Sequence, residues 1–178
     1  MSTKFFAFYF AFIMLVFFVT RTEGLSIRFQ NIICRAEDPK FIRFDTCKIT
    51  AVSRKSQYIT VKAGLLERPL TKFRLRFFFM QRLNGWKPFL YDWSIGCNFT
   101  KTLNKLTSLV WDIVRNISNF NTDCPYYQET VDIPRAENTY FQNILKMLPI
   151  PTGVYGLFIQ EGTEAHKRVH VEIHIQVS

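Results

Sequence analysis

Beyond residue 24 the sequence has no long apolar run. This excludes a later membrane-crossing helix, which needs about 20 consecutive apolar residues. No C-x-x-C pair occurs, and the four cysteines are spaced unlike a zinc site. There is no G-x-S-x-G elbow, no glycine-rich phosphate loop and no H-E-x-x-H. Asp92, between Tyr91 and Trp93, is not half of an acid–base pair. These absences argue against an enzyme and against a bound metal or cofactor. Acidic residues are scarce: 14 against 23 basic, a formal charge of +9. The excess could favour anionic partners such as acidic head groups or sulfated glycans. The cations are scattered, however, as in Lys72, Arg74, Arg76, Arg82 and Lys87, which fits a solvated surface. Repeats, linkers and low-complexity stretches are absent too, so one domain is expected.

What is present begins at the N-terminus. Lys4 is followed by an unbroken apolar run from Phe5 to Val19. Its 15 residues are short for a span but match the apolar region of a signal peptide. Gly24 and Thr22 are small enough for the −1 and −3 positions of a cleavage site. Residues 1–24 are therefore expected to be a signal peptide and residues 25–178 a secreted domain of charge about +8. Export disfavours a nucleic-acid partner.

An even cysteine count in an exported chain implies disulfides. Three pairings are open. Cys34–Cys47 and Cys97–Cys124 are favoured, because each brackets a local excursion of the chain. The first would join neighbouring strands and the second would close a loop holding a helix. Two sequons, Asn98-Phe-Thr and Asn116-Ile-Ser, are candidate glycan acceptors.

Strand signals cover residues 27–34, 44–52, 57–66, 71–82, 86–95, 127–133, 153–161 and 167–177. The stretch 71–82 is the most regular. Phe73, Leu75, Phe77 and Phe79 alternate with Lys72, Arg74, Arg76 and Phe78, giving an apolar and a largely cationic face. Asn84-Gly85 follows as a hairpin signal. Residues 102–117 change period: Leu103, Leu106, Val110, Ile113, Val114 and Ile117 form one helical stripe. Residues 136–147 read as short helix or irregular chain. His170, Glu172 and His174 alternate along the last strand and read as a solvated face, since His residues four apart on a strand lie about 13 Å from each other. Many short strands, two disulfides and one amphipathic helix inside a disulfide-closed loop predict an all-β sandwich.

Twelve of the 19 phenylalanines fall after residue 24, along with all three tryptophans. Such aromatic content fills a core or lines an apolar cavity. The run Arg82 to Asp92, RLNGWKPFLYD, gives a more specific lead. Together with Asn31 to Cys34, Phe44 to Cys47, Cys124 to Tyr126 and Pro151 to Tyr155, it resembles a family of small secreted insect proteins. That family looks like a relative of the ML lipid-recognition and ganglioside-activator-like proteins. The resemblance implies an immunoglobulin-like, ML-like β-sandwich whose sheets part around a lipid, with a link to chemosensation. It supplies no catalytic or ligand residues to carry over.

The expected function is therefore a secreted non-enzymatic binding protein for a lipid or other hydrophobic small molecule, with a membrane receptor as a candidate partner. Phe73, Leu75, Phe77, Phe79, Phe89, Tyr91 and Trp93 are the candidate pocket wall. Arg74 and Arg76 are the candidate head-group contacts. The rival expectation is an extracellular protein-interaction module or co-receptor with a filled core.

Overall fold

The computed structural model describes residues 25–97, 105–146, 150–162 and 166–178. The expected signal peptide, Asn98, Leu103 and the side chain of Tyr91 lie outside what is described. The chain forms β1 (Ile27–Ala36), β2 (Ile42–Ala51), β3 (Gln57–Leu65), β4 (Arg74–Leu83), β5 (Gly85–Gly96), α1 (Lys105–Ile117), β6 (Thr130–Glu137), α2 (Asn138–Leu145), β7 (Gly153–Gly162) and β8 (Lys167–Val177). All strand pairs are antiparallel. One sheet has the order β1-β8-β7-β4-β5 and the other β2-β3-β6. The molecule is an all-β sandwich with little helix.

Period-two patterning makes the two layers. In β3 every second residue from Gln57 to Leu65 is buried, so Ile59, Val61 and Ala63 face the opposing sheet. Tyr155 in β7 and Val169, Val171 and Ile175 in β8 supply buried groups from the other layer. β4 and β5 form the expected hairpin, with Gly85 at φ 111° beside Asn84. Only a residue without Cβ adopts that angle at little cost. A register shift between Phe78 and Met80 then interrupts the β4–β5 ladder.

Both favoured disulfides form. Cys97–Cys124 closes the loop that carries α1. Cys34–Cys47 does more than join neighbouring strands: β1 and β2 lie in different sheets, so the bond clips the two layers together. A buried polar knot does similar work at another edge. Asn138, at the start of α2, donates to the carbonyls of Ile27 (2.8 Å) and Lys55 (3.0 Å) and accepts from the Gln57 amide (3.0 Å). Gln57 in turn accepts from the Phe29 amide (2.9 Å).

One expectation needs correction. His170, Glu172 and His174 do share the outer face of the larger sheet, but that face is not freely solvated. The three side chains are only 14%, 13% and 16% exposed. Trp86 packs on His174 at 4.9 Å, and Phe158 lies beside both histidines. His170 Nε2 and His174 Nε2 each meet one oxygen of Glu172, at 2.8 and 3.1 Å. Burial pushes the Glu172 carboxyl up, but the hydrogen bonds and charge of the two histidines outweigh it and hold it below the ordinary value.

Candidate ligand cavity between the sheets

The inward faces of the two sheets do not close on each other completely. A cavity of about 320 Å³ remains between them. Its walls come from residues of all five strands of the larger sheet and from β2, β3 and β6 of the smaller one. Helix α1 covers a further side with Ile113, Val114 and Ile117, three members of its apolar stripe. The helix is held over the sheets by Asn119, just beyond its C-terminus, whose side chain accepts from the Asp132 amide (2.8 Å) and donates to the Thr130 carbonyl (2.9 Å).

The structure brings five of the seven expected wall residues to this cavity. Phe73, Leu75, Phe77, Phe79 and Trp93 all line it. Phe77 and Trp93 are opposite one another in the β4–β5 ladder and stack at 5.6 Å with planes 4° apart. Phe89 is not a lining residue. The irregular register near Phe78 and Met80 leaves it against Phe79 (6.0 Å) and Tyr155 (5.1 Å), at the margin of the core. The side chain of Tyr91 lies outside the described residues.

The candidate head-group contacts are placed elsewhere. Arg74 and Arg76 alternate with Leu75 and Phe77 and therefore occupy the outer face of the sheet. Neither borders the cavity. Arg76 grips Asp92 with two hydrogen bonds of 3.0 and 2.5 Å. The first effect on Asp92 is that hydrogen bonding, which holds its carboxyl below the usual range. Asn116 is exposed near the end of α1, with its amide 3.3 Å from the Tyr140 hydroxyl.

Sequence reasoning passed over a buried ion pair beside the cavity. Glu161 lines it and is only 4% exposed. Arg168 clamps the Glu161 carboxylate with Nε at 2.8 Å and a terminal nitrogen at 2.6 Å. The same guanidinium lies over the Phe41 ring at 4.0 Å and reaches Glu67 at 3.4 Å. Desolvation pushes the Glu161 carboxyl above its ordinary value, with Arg168 opposing. A signal was available: Tyr155, Leu157, Ile159 and Glu161 alternate, which puts the glutamate on the inward face. Tyr126 completes this end, with a phenol pushed by burial to about 12.

One more polar atom stands out. The indole Nε1–H of Trp93 is buried and has no hydrogen-bond acceptor among the described residues. The arrangement as a whole can enclose an apolar molecule, with chemistry limited to burial and very few polar contacts. Among the described residues, no cluster of three or more His, Cys, Asp or Glu side chains has the makings of a metal site.

No curated protein matches the chain. Residues 75–157 match the model of a family described as "Protein of unknown function (DUF1091)". The matched segment runs from Leu75 in β4 to Leu157 in β7, and so takes in Phe77, Phe79, Trp93 and the whole loop closed by Cys97–Cys124.

Proposed function

We propose that this protein is a secreted, non-enzymatic carrier or presenter of a hydrophobic ligand held between its two sheets. The observation that carries the reading is the inter-sheet cavity of about 320 Å³, walled by apolar side chains. Ligand sites typically begin near 300 Å³, whereas filled cores leave few voids larger than a water molecule. The volume therefore favours a carrier over an interaction module with a filled core. The two disulfides fit an exported protein, since such bonds persist in oxidising compartments. No helix among the described residues is long and apolar enough to cross a membrane. A sandwich with space between its layers is also the architecture implied by the resemblance to ML lipid-recognition proteins, with chemosensory presentation to a membrane receptor as its setting.

Binding would draw on apolar burial at about 25 cal/mol per Å², less the entropy of holding the ligand. The test is native mass spectrometry and organic extraction of protein made in insect cells. Bound lipid or hydrocarbon is expected in the wild type. A cavity-filling variant, Leu157→Trp, is expected to lose it while keeping a cooperative melt, at an overpacking cost of about 1–3 kcal/mol. A wild type that arrives empty and takes up no apolar compound would sink the reading.

A further inference from the structure

We propose that the end of the sandwich carrying the β2–β3 and β4–β5 turns docks on membrane surfaces rich in acidic lipids. The inference goes beyond the carrier reading and stands or falls without it.

Topology brings the two turns to one end. The β4–β5 turn follows Leu83, just past the pairing of Gln81 with Tyr155 near the start of β7. The start of β7 pairs with the end of β8, which pairs in turn with the start of β1. The β2–β3 turn is tied to that same start of β1. Asn138 donates to the carbonyls of both Ile27 and Lys55, and the Gln57 side chain accepts from the Phe29 amide. Three strand spacings from β1 to β4, with one spacing between sheets, set the two tips roughly 15–20 Å apart.

Both turns present the same chemistry. Val52 is 58% exposed and Leu83 63%. The other two large apolar side chains exposed among the described residues, Leu66 and Tyr127, belong to the opposite end. Arg54 and Lys55 follow Val52, and Arg82 and Lys87 flank the tip at Leu83, all four exposed. None of these cations has an ion-pair partner among the described residues. The tips are held in shape: the Val52 and Ser53 amides donate to the Ser56 carbonyl at 2.9 and 3.1 Å, and Gly85 turns the other hairpin. Arg28 and Lys146 add charge at this end. Its one acidic side chain among the described residues, Glu137, is held by Arg135 at 2.7 Å. At the opposite end Glu37, Asp38, Glu67, Asp123 and Glu129 offset the cations. Positive charge that is scattered along the sequence is therefore concentrated at one end of the fold, where it complements an anionic surface.

Charge alone would suit a sulfated glycan as well as a bilayer. The aliphatic tips decide between them. A hydrated polysaccharide gives Val52 and Leu83 nothing apolar to enter. A bilayer takes such side chains below its head groups, while neighbouring cations stay at the level of the phosphates. The cavity also reaches this end, where Phe141 and Leu145 of α2 and Ile150 wall it. Docking would bring that wall toward the lipid.

The test uses the disulfide-bonded protein made in insect cells and sucrose-loaded vesicles of phosphatidylcholine, with and without phosphatidylserine at about one lipid in three. Wild type should sediment with the acidic vesicles at least tenfold more strongly than with the neutral ones. Arg54→Glu with Lys87→Glu should abolish that preference. Lys40→Glu with Lys72→Glu, the same charge change at the opposite end, should alter it less than twofold. Val52→Ser with Leu83→Ser should weaken vesicle binding at least fivefold and leave retention on heparin unchanged. In wild type, acidic vesicles should slow hydrogen exchange in residues 52–56 and 82–87 but not in 66–72. Three results overturn the inference: no preference for acidic vesicles, equal losses from the two charge reversals, or vesicle binding indifferent to Val52→Ser with Leu83→Ser. The last, with heparin binding retained, would assign this end to a sulfated glycan. Should a variant fail to fold, the exchange pattern of wild type decides the matter.

Discussion

Tyr126 shows how one residue reports on the packing around it. Its ring is 2% exposed, set among Phe73 and Phe120, and its hydroxyl donates to Gln128 at 3.2 Å. Burial favours the neutral phenol, moving its ionisation from 10 to about 12. The sign follows directly. Below pH 10 the phenol is protonated in both states and has no effect on the pH dependence. Between 10 and about 12 the unfolded chain ionises first, so stability falls as pH rises, by about 3 kcal/mol for a shift of this size. Absorbance at 295 nm should resolve a late-titrating tyrosine, and Tyr126→Phe should remove it and flatten the alkaline loss of stability. Asn138 tests a different kind of residue. Its amide serves three backbone groups from β1, β3 and the turn before β3, at 2.8, 3.0 and 3.0 Å. Asn138→Ala would leave them buried without partners, a loss of about 3 kcal/mol measurable by urea unfolding. Asn138 also marks a limit of sequence reading. Its type suits a helix start, but its partners are 81 to 111 residues away along the chain.

Elements were legible where their signal is local. The alternation of Phe73, Leu75, Phe77 and Phe79 predicted both the strand and its inward face, and all four reach the cavity. The stripe of Ile113, Val114 and Ile117 did the same for α1. Phe89 packs on Phe79 and Tyr155 beside the cavity, and its distance from the wall depends on how β4 and β5 pair around the register shift after Phe78, not on either strand alone. The pairing of Ile27 with Val177 lies beyond local pattern altogether, since it joins the two ends of the domain. The smaller sheet's share of the cavity wall depended on that same topology. At this scale the Cys97–Cys124 bond invites a direct experiment. It closes a loop of 27 residues of separation around α1, the helix that covers the cavity. Replacing both cysteines with serine should cost about 3.5 kcal/mol by chain-entropy reasoning. The loss should be uneven. Hydrogen exchange in residues 105–117 should quicken well before that in β7 and β8, because those strands sit at the centre of the larger sheet. Uniform acceleration would mean that the helix and sheets open as one unit.

The whole molecule is two layers held apart over an apolar space, clipped by Cys34–Cys47 and capped by α1. Such a space is costly when empty, because its lining atoms lack contact partners on one side. A ligand restores those contacts in the folded state only. The unfolded chain has no assembled cavity, so binding must stabilise the fold by mass action. At a free ligand concentration 100 times its dissociation constant, that gain is about 2.7 kcal/mol. For a domain of this size, about 2–4 °C accompanies each kcal/mol, so the melting temperature should rise by roughly 5–10 °C. The increase should grow with the logarithm of ligand concentration and vanish in Leu157→Trp, where the space is occupied by the indole. A filled interaction module predicts the opposite pattern: no apolar compound raises the melting temperature, and Leu157→Trp is simply destabilised. Differential scanning calorimetry of both proteins, with and without decyl acetate, separates the two. A ligand-dependent rise confined to the wild type would tie the cavity, rather than the surface, to what this fold is built to hold.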